Sequence, residues 1–81
     1  MQATNGNLII SGTATLHMQL YGITLQQVED VLANPISRTK ITDMEGIMEA
    51  KKLFGTRCIG VAYRVEPDGR YLVAHAYWTK P

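Results

Sequence analysis

The feature that most constrains the fold is a pair of strand-forming runs joined by a short turn sequence. Residues 57–65 and 70–78 are rich in valine and aromatic residues, which favour strands. Residues 66–69 between them read Glu-Pro-Asp-Gly, and such a tip is typical of a hairpin loop. We therefore predict an antiparallel strand pair over this segment.

Length and charge limit the kind of domain to which this strand pair can belong. The chain has 81 residues and a formal net charge of +1. A chain of this size forms one domain with a thin core, which a second subunit could complete. We expect residues 1–6 to be a disordered tail and residues 7–81 to form a single α+β domain. Because the global field is weak, a nucleic-acid partner would need basic side chains gathered locally.

The cysteine count and the length of the apolar runs indicate the compartment in which the protein is expected. The one cysteine, Cys58, excludes an internal disulfide and a cysteine-based zinc site, and it favours a cytoplasmic protein. The apolar runs are only a few residues long, far below the roughly 20 needed to cross a bilayer. We therefore expect no membrane association.

Two helices are predicted before residue 36. Residues 13–21 contain no glycine or proline, have apolar side chains at helical spacing, and are followed by Gly22 as a stop. Thr24 and Gln27 form a capping box for a second helix, which ends at the Asn-Pro pair of residues 34–35. The second helix has one apolar stripe, formed by Leu25, Val28, Val31 and Leu32.

Strand patterns dominate after residue 35. Residues 36–42 alternate as a strand does, and residues 43–46 read as a turn. Residues 47–54 are compatible with a strand or a short helix, and we choose the strand because only turn-like residues separate them from their neighbours. Residues 7–11 are either an edge strand or an extended lead-in to the first helix. The predicted fold is α+β, with two helices packed on one face of a four-stranded antiparallel sheet and an optional extra edge strand.

The predicted hairpin has two unlike faces. If Glu66 pairs with Arg70, one face carries Ile59, Val61, Tyr63, Val65, Tyr71, Val73, His75 and Tyr77. The other face carries Cys58, Gly60, Ala62, Arg64, Leu72, Ala74, Ala76 and Trp78. Since small residues let a helix approach a sheet closely, we expect the helices on the second face. The face with tyrosines and a histidine should then be exposed.

An exposed face of this kind has the chemistry of nucleic-acid binding. Phenol and imidazole rings stack on bases, and the guanidinium of Arg57 can hold phosphate. Arg38 and Lys40 in the preceding strand could extend a basic patch. The alternative is structural: the tyrosines are ordinary strand residues or a dimer seam, His75 is a packing residue, and the basic residues discourage aggregation at a sheet edge.

Three stretches of the chain carry a resemblance to known bacterial proteins: residues 13–23, 24–35 and 72–79. Together they resemble a family of small bacterial domains of unknown function that is related to the BrnT-type toxins, and so to the RelE/ParE-like toxin superfamily. The family's first stretch reads His-Ala-x-x-Arg-Met-x-x-Arg-Gly-Ile. Four positions fit here, namely Ala14, Met18, Gly22 and Ile23. Thr13, His17 and Tyr21 stand where the family has His, Arg and Arg.

The resemblance implies a toxin-like domain whose partner is an antitoxin. It also implies metal-independent cleavage of RNA, in which basic side chains orient the ribose 2′-hydroxyl, take its proton and offset phosphate charge. Thr13, His17 and Tyr21 lie on one helix face, so the geometry of that site is retained while its charge is not. Loss of each guanidinium removes hydrogen bonds worth about 1.5–3 kcal/mol.

We therefore predict a non-catalytic or weakly active relative of these toxin domains that binds protein or RNA, and the alternative is an active ribonuclease of a toxin–antitoxin pair. The candidate catalytic residues are His17, His75, Arg57 and Tyr77, with His17 as a general base. The candidate binding residues are Thr13, Tyr21, Tyr63, Tyr71, Arg38 and Lys40. The candidate partners are an antitoxin, a second copy of the chain and RNA. No metal, nucleotide or other cofactor is expected, because the chain has neither metal-ligand spacing nor a phosphate-binding glycine motif.

Overall fold

The computed structural model describes residues 8–41 and 46–80, which form two helices and five strands. The elements are β1 (Leu8–Ile10), α1 (Gly12–Tyr21), α2 (Leu25–Ala33), β2 (Ser37–Lys40), β3 (Met48–Phe54), β4 (Arg57–Val65) and β5 (Tyr71–Thr79). The sheet order is β1-β5-β4-β3-β2. The predicted tail, residues 42–45 of the predicted strand and turn, and residue 81 lie outside the described residues.

The α+β class is confirmed, and the sheet is mixed rather than antiparallel throughout. Strands β2 to β5 form the predicted antiparallel meander, including β3, for which a helix had been the alternative. β1 is the extra edge strand, and it runs parallel to β5. A parallel partner is possible because the chain leaves β1 through the two helices and returns at the far edge of the sheet.

Local caps set the helix boundaries. The Ser11 hydroxyl accepts the Ala14 N–H at 3.0 Å, so α1 begins one residue earlier than predicted. Gly22 ends α1 with φ 68°, a conformation that favours glycine. The predicted capping box of α2 is present: the Thr24 hydroxyl accepts the Gln27 N–H at 3.1 Å, and the Gln27 side chain accepts the Thr24 N–H at 2.9 Å.

α2 packs on the face of β4 that carries Ile59, Val61 and Tyr63, whereas α1 packs against β5. The core consists of buried side chains from the helices and this face: Ala14, Ile23, Val28, Val31, Leu32, Ala50, Ile59, Val61, Tyr63, Val73 and Ala76. The prediction that the glycine and alanine face packs against the helices is therefore wrong for β4. Large apolar side chains gain about 1.5–3 kcal/mol each on burial, so their face is the one that the helices cover.

A β-bulge reverses the faces of β5 partway along the strand. From the turn, Tyr63 is opposite Val73, as predicted, but the next residue of β4, Ala62, is opposite His75, so Ala74 is the extra residue. Beyond this point, His75 lies on the face away from the core and Ala76 lies in the core. The predicted strand pairing is thus right near the turn and shifted by one residue beyond the bulge. The predicted placement relative to the core is wrong for Val73, which is buried, and right for Ala76 and His75.

On the face away from the core, Tyr77 covers Gly60. The two residues are cross-strand neighbours, and a Cβ at residue 60 would overlap the Tyr77 ring. The Tyr77 hydroxyl donates a hydrogen bond to the Glu49 carboxylate on β3. Burial, together with the neighbouring carboxylate, raises the pKa of Tyr77 above its usual value of 10, so the hydroxyl remains a donor.

Gly60→Ala should lower the free energy of unfolding by about 1–3 kcal/mol, because the added methyl group displaces the Tyr77 ring and its bond to Glu49. Urea denaturation measures this change. Gly12→Ala is the matched control, since a Cβ there meets nothing within 4 Å. In a Tyr77→Ala background the cost of Gly60→Ala should largely disappear, and equal costs in both backgrounds would contradict the ring overlap.

Candidate functional site

The residue before α1 is hydrogen-bonded to the bulge in β5. The Ser11 N–H donates to the Val73 carbonyl at 3.1 Å, and the Ser11 hydroxyl donates to the Ala74 carbonyl at 3.2 Å. The same hydroxyl caps α1. One serine therefore begins the helix and sets where the helix lies against the edge of β5.

This placement brings the two histidines of the chain together. His17 on α1 and His75 on β5 lie with their Nδ1 atoms 3.4 Å apart. Their ring centroids are 5.2 Å apart, and the ring planes are 23° from parallel. Both side chains are half-buried, so they remain accessible from solvent. Two of the predicted catalytic residues thus form a contact pair.

Aromatic and basic side chains continue the surface from this pair. The Tyr21 ring lies 5.7 Å from the His17 ring, and Tyr21 is 47% exposed. The Trp78 indole N–H donates to the Tyr21 carbonyl at 2.9 Å, and the Arg57 guanidinium lies 4.4 Å from the Trp78 ring centroid. Lys80 lines a shallow depression together with Arg57 and Trp78. We call this group the α1–β5 surface; it consists of His17, Tyr21, Arg57, His75, Trp78 and Lys80.

The positive charge of the α1–β5 surface is not neutralised by the described carboxylates. The salt bridges of residues 8–41 and 46–80 join Lys51 to Glu49, Lys52 to Asp30, Arg64 to Glu66 and Arg70 to Asp68. Neither Arg57 nor Lys80 has such a partner within that part of the chain. Stacking of Arg57 on Trp78 leaves the in-plane guanidinium N–H groups able to donate. The surface can therefore offer hydrogen bonds and charge to an anion.

Three predicted binding residues, Arg38, Tyr63 and Tyr71, make contacts within the fold. Arg38 donates one hydrogen bond to the Tyr63 hydroxyl at 2.8 Å and another to the Leu32 carbonyl near the end of α2. Tyr63 is only 3% exposed, and its ring stacks on Tyr71 with centroids 5.1 Å apart. The prediction that Tyr63 lies on an exposed face is wrong. Arg38 ties β2 to the carboxy-terminal end of α2, where a cation is favourable.

The other candidates divide between the surface and the rest of the molecule. Tyr21 contacts the histidine pair and Arg57 lies over Trp78, whereas the Tyr77 hydroxyl is bonded to Glu49. Thr13 is exposed on α1, and Lys40 is exposed on β2 at the opposite edge of the sheet from β1. Sequence reasoning missed the roles of Trp78 and Lys80. The available signal was that Arg57 and Trp78 both lie at the open end of the predicted hairpin.

Comparison with known proteins identifies no relative: no protein-family model matches the chain, and neither does any curated protein or solved structure. Among the described residues, no group of three or more His, Cys, Asp or Glu side chains is placed to hold a metal ion. Neither helix in this part of the chain has the length and apolar character needed to cross a membrane.

Tyr63→Phe should lower the free energy of unfolding by about 1–2 kcal/mol, because a buried hydroxyl that accepts from Arg38 is removed and the guanidinium keeps only its bond to the Leu32 carbonyl. Thermal or urea denaturation measures the loss. Tyr71→Phe is the control, because its hydroxyl has no hydrogen-bond partner among the described residues; it should change stability by less than about 0.5 kcal/mol. Similar losses for both variants would argue against the structural role of the Arg38–Tyr63 bond.

Proposed function

We propose that the chain binds single-stranded RNA through the α1–β5 surface and is a non-catalytic or weakly active relative of the RelE/BrnT-type toxin domains. The observation that supports this most is the position of two cations, Arg57 and Lys80, that have no carboxylate partner among residues 8–41 and 46–80 and lie beside a run of aromatic side chains. Single-strand binding surfaces combine these same two elements.

The aromatic part of the surface suits unstacked bases. The ring centroids of His75 and His17 are 5.2 Å apart, and those of His17 and Tyr21 are 5.7 Å apart. The Trp78 indole adjoins Tyr21 through a hydrogen bond. Base–aromatic stacking contributes about 1–3 kcal/mol per base without requiring a sequence. The imidazole nitrogens can also donate to or accept from a 2′-hydroxyl, which distinguishes RNA from DNA.

The charged part of the surface suits a few phosphates. Arg57 presents planar N–H donors, and Lys80 adds a second charge at the same depression. With a net charge of +1, the chain attracts RNA weakly at long range, so binding should depend on these local contacts. Two phosphate contacts correspond to a slope of about −1.4 in log affinity against log salt for a single strand.

Arg57→Gln and Tyr21→Ala should each weaken binding to a fluorescein-labelled single-stranded RNA of roughly ten nucleotides, within the usual range of site sizes. Fluorescence anisotropy at several salt concentrations measures affinity, and Arg57→Gln should reduce the salt slope by about 0.7. Quenching of the one tryptophan, Trp78, reports binding independently.

Lys40→Gln is the matched control for this measurement. It removes the same unit of charge from β2, at the opposite edge of the sheet from β1, and should leave affinity nearly unchanged. If Lys40→Gln and Arg57→Gln weaken binding equally, RNA is attracted by the overall positive charge and not by the α1–β5 surface. If the wild-type chain does not bind RNA at low salt, the proposed function is wrong.

The contact between His17 and His75 favours one alternative, metal-independent cleavage of RNA. One imidazole would take the proton of the 2′-hydroxyl, whose oxygen attacks the adjacent phosphorus. The other would protonate the departing 5′-oxygen as the phosphorus–oxygen bond breaks. The products would be a 2′,3′-cyclic phosphate and a 5′-hydroxyl.

Incubation of the same RNA with protein and EDTA separates binding from cleavage. The binding proposal expects intact RNA, or cleavage so slow that binding equilibrates first. The ribonuclease alternative requires cyclic-phosphate products that disappear in both His17→Ala and His75→Ala, with growth arrest on expression of the wild type only. Cleavage that persists in both variants would indicate a contaminating nuclease.

A further inference from the structure

We propose that His17 and His75 together bind one divalent transition-metal ion, of the class that imidazole prefers, through their two Nδ1 atoms. Metal binding at this pair does not require RNA to be bound. Its ligands are 58 residues apart in the sequence, so no local ligand spacing could reveal it. Water would occupy the remaining coordination positions, since the described residues bring no third histidine, cysteine or carboxylate to the pair.

The separation of the nitrogens matches that of two ligands on one ion. Imidazole nitrogens bind Zn²⁺ at about 2.0–2.1 Å, so two of them at a tetrahedral angle lie about 3.3–3.4 Å apart. The observed Nδ1–Nδ1 distance is 3.4 Å. The ring centroids, at 5.2 Å, are farther apart than the nitrogens. The rings therefore approach each other through their Nδ1 edges and not through their faces.

Both ligands are held by fixed elements. Near the start of α1, Ser11 is hydrogen-bonded to the Val73 and Ala74 carbonyls of β5. At its end, the Tyr21 carbonyl accepts from Trp78 of the same strand. His17 lies between these two attachments. An ion would thus meet two ligands whose spacing is already set, which reduces the ordering cost of binding.

The donor set determines which ions should bind. Two neutral imidazoles favour Cu²⁺ over Zn²⁺, following the general order of divalent affinities. Mg²⁺ prefers oxygen ligands and should not compete. The sulfur of Cys58, which could otherwise divert these ions, belongs to a fully buried side chain.

Titration of the untagged full chain with CuCl₂ and with ZnCl₂, followed by calorimetry, tests the site. We expect one ion per chain, tighter binding of Cu²⁺ than of Zn²⁺, and no heat with MgCl₂. His17→Ala and His75→Ala should each abolish this binding. Gln19→Ala, an exposed change on the same helix, should bind as the wild type does.

Thermal unfolding with and without ZnCl₂ provides a second measurement. An ion that binds only the folded chain raises the midpoint temperature, and this rise should be absent in both histidine variants. Circular dichroism shows whether each variant is folded, and His17→Gln offers a replacement that keeps more of the side-chain volume. If either histidine can be replaced without loss of Cu²⁺ affinity, the two residues do not share an ion and the proposal is wrong. Binding that survives in both variants would show that the ion binds elsewhere, for instance at the terminal amine, and would also contradict the proposal.

Discussion

One extra residue in β5, Ala74, decides which side chains of the carboxy-terminal strand meet the core and which meet α1. Up to Val73 the strand alternates as a regular partner of β4 would, and after the bulge the alternation resumes in the opposite phase. Without the extra residue, His75 would lie on the core side and Ala76 would face away. The Ala74 carbonyl also accepts the Ser11 hydroxyl, which caps α1. The bulge therefore places both histidines, one through the strand and the other through the helix.

The choice of packing face follows from the amount of apolar surface that each face offers. Ile59 and Val61 are fully buried beneath the helices, and their burial contributes about 1.5–3 kcal/mol each. Gly60 and Ala62 on the reverse face could contribute little to a helix interface. Their small size instead makes room for a side chain of the same sheet, since the Tyr77 ring lies over Gly60. Small residues in a strand thus indicate close approach without indicating which element approaches.

Local features of the fold could be predicted from sequence, whereas long-range ones could not. The capping box at Thr24, the stop at Gly22 and the hairpin at residues 66–69 each depend on a few neighbouring residues, and all are present. The bulge has no local signal, because no glycine or proline marks the position. The parallel pairing of β1 with β5 joins segments far apart in sequence.

The candidate site could be predicted only in part. His17, Tyr21, Arg57 and His75 were selected for their chemistry, but the contact between the two histidines depends on the bulge. Tyr63 was selected by the same criterion but lies in the core, where its hydroxyl accepts a hydrogen bond from Arg38. The relationship to the toxin superfamily stays a proposal.

The two proposed ligands of the α1–β5 surface would influence each other through the histidine pair. A bound divalent ion adds positive charge to the surface that carries Arg57 and Lys80, which strengthens attraction for phosphate. It also occupies both Nδ1 atoms, so these nitrogens could no longer accept a proton from a ribose hydroxyl. Because binding linkage is reciprocal, the factor by which the metal ion changes the affinity for RNA equals the factor by which RNA changes the affinity for the metal ion. Under the binding proposal the ion increases RNA affinity, whereas under the ribonuclease alternative it inhibits cleavage while leaving the RNA bound. The response of the histidine pair to a metal ion therefore distinguishes the two functions more directly than either histidine substitution, which removes metal binding, stacking and proton transfer together.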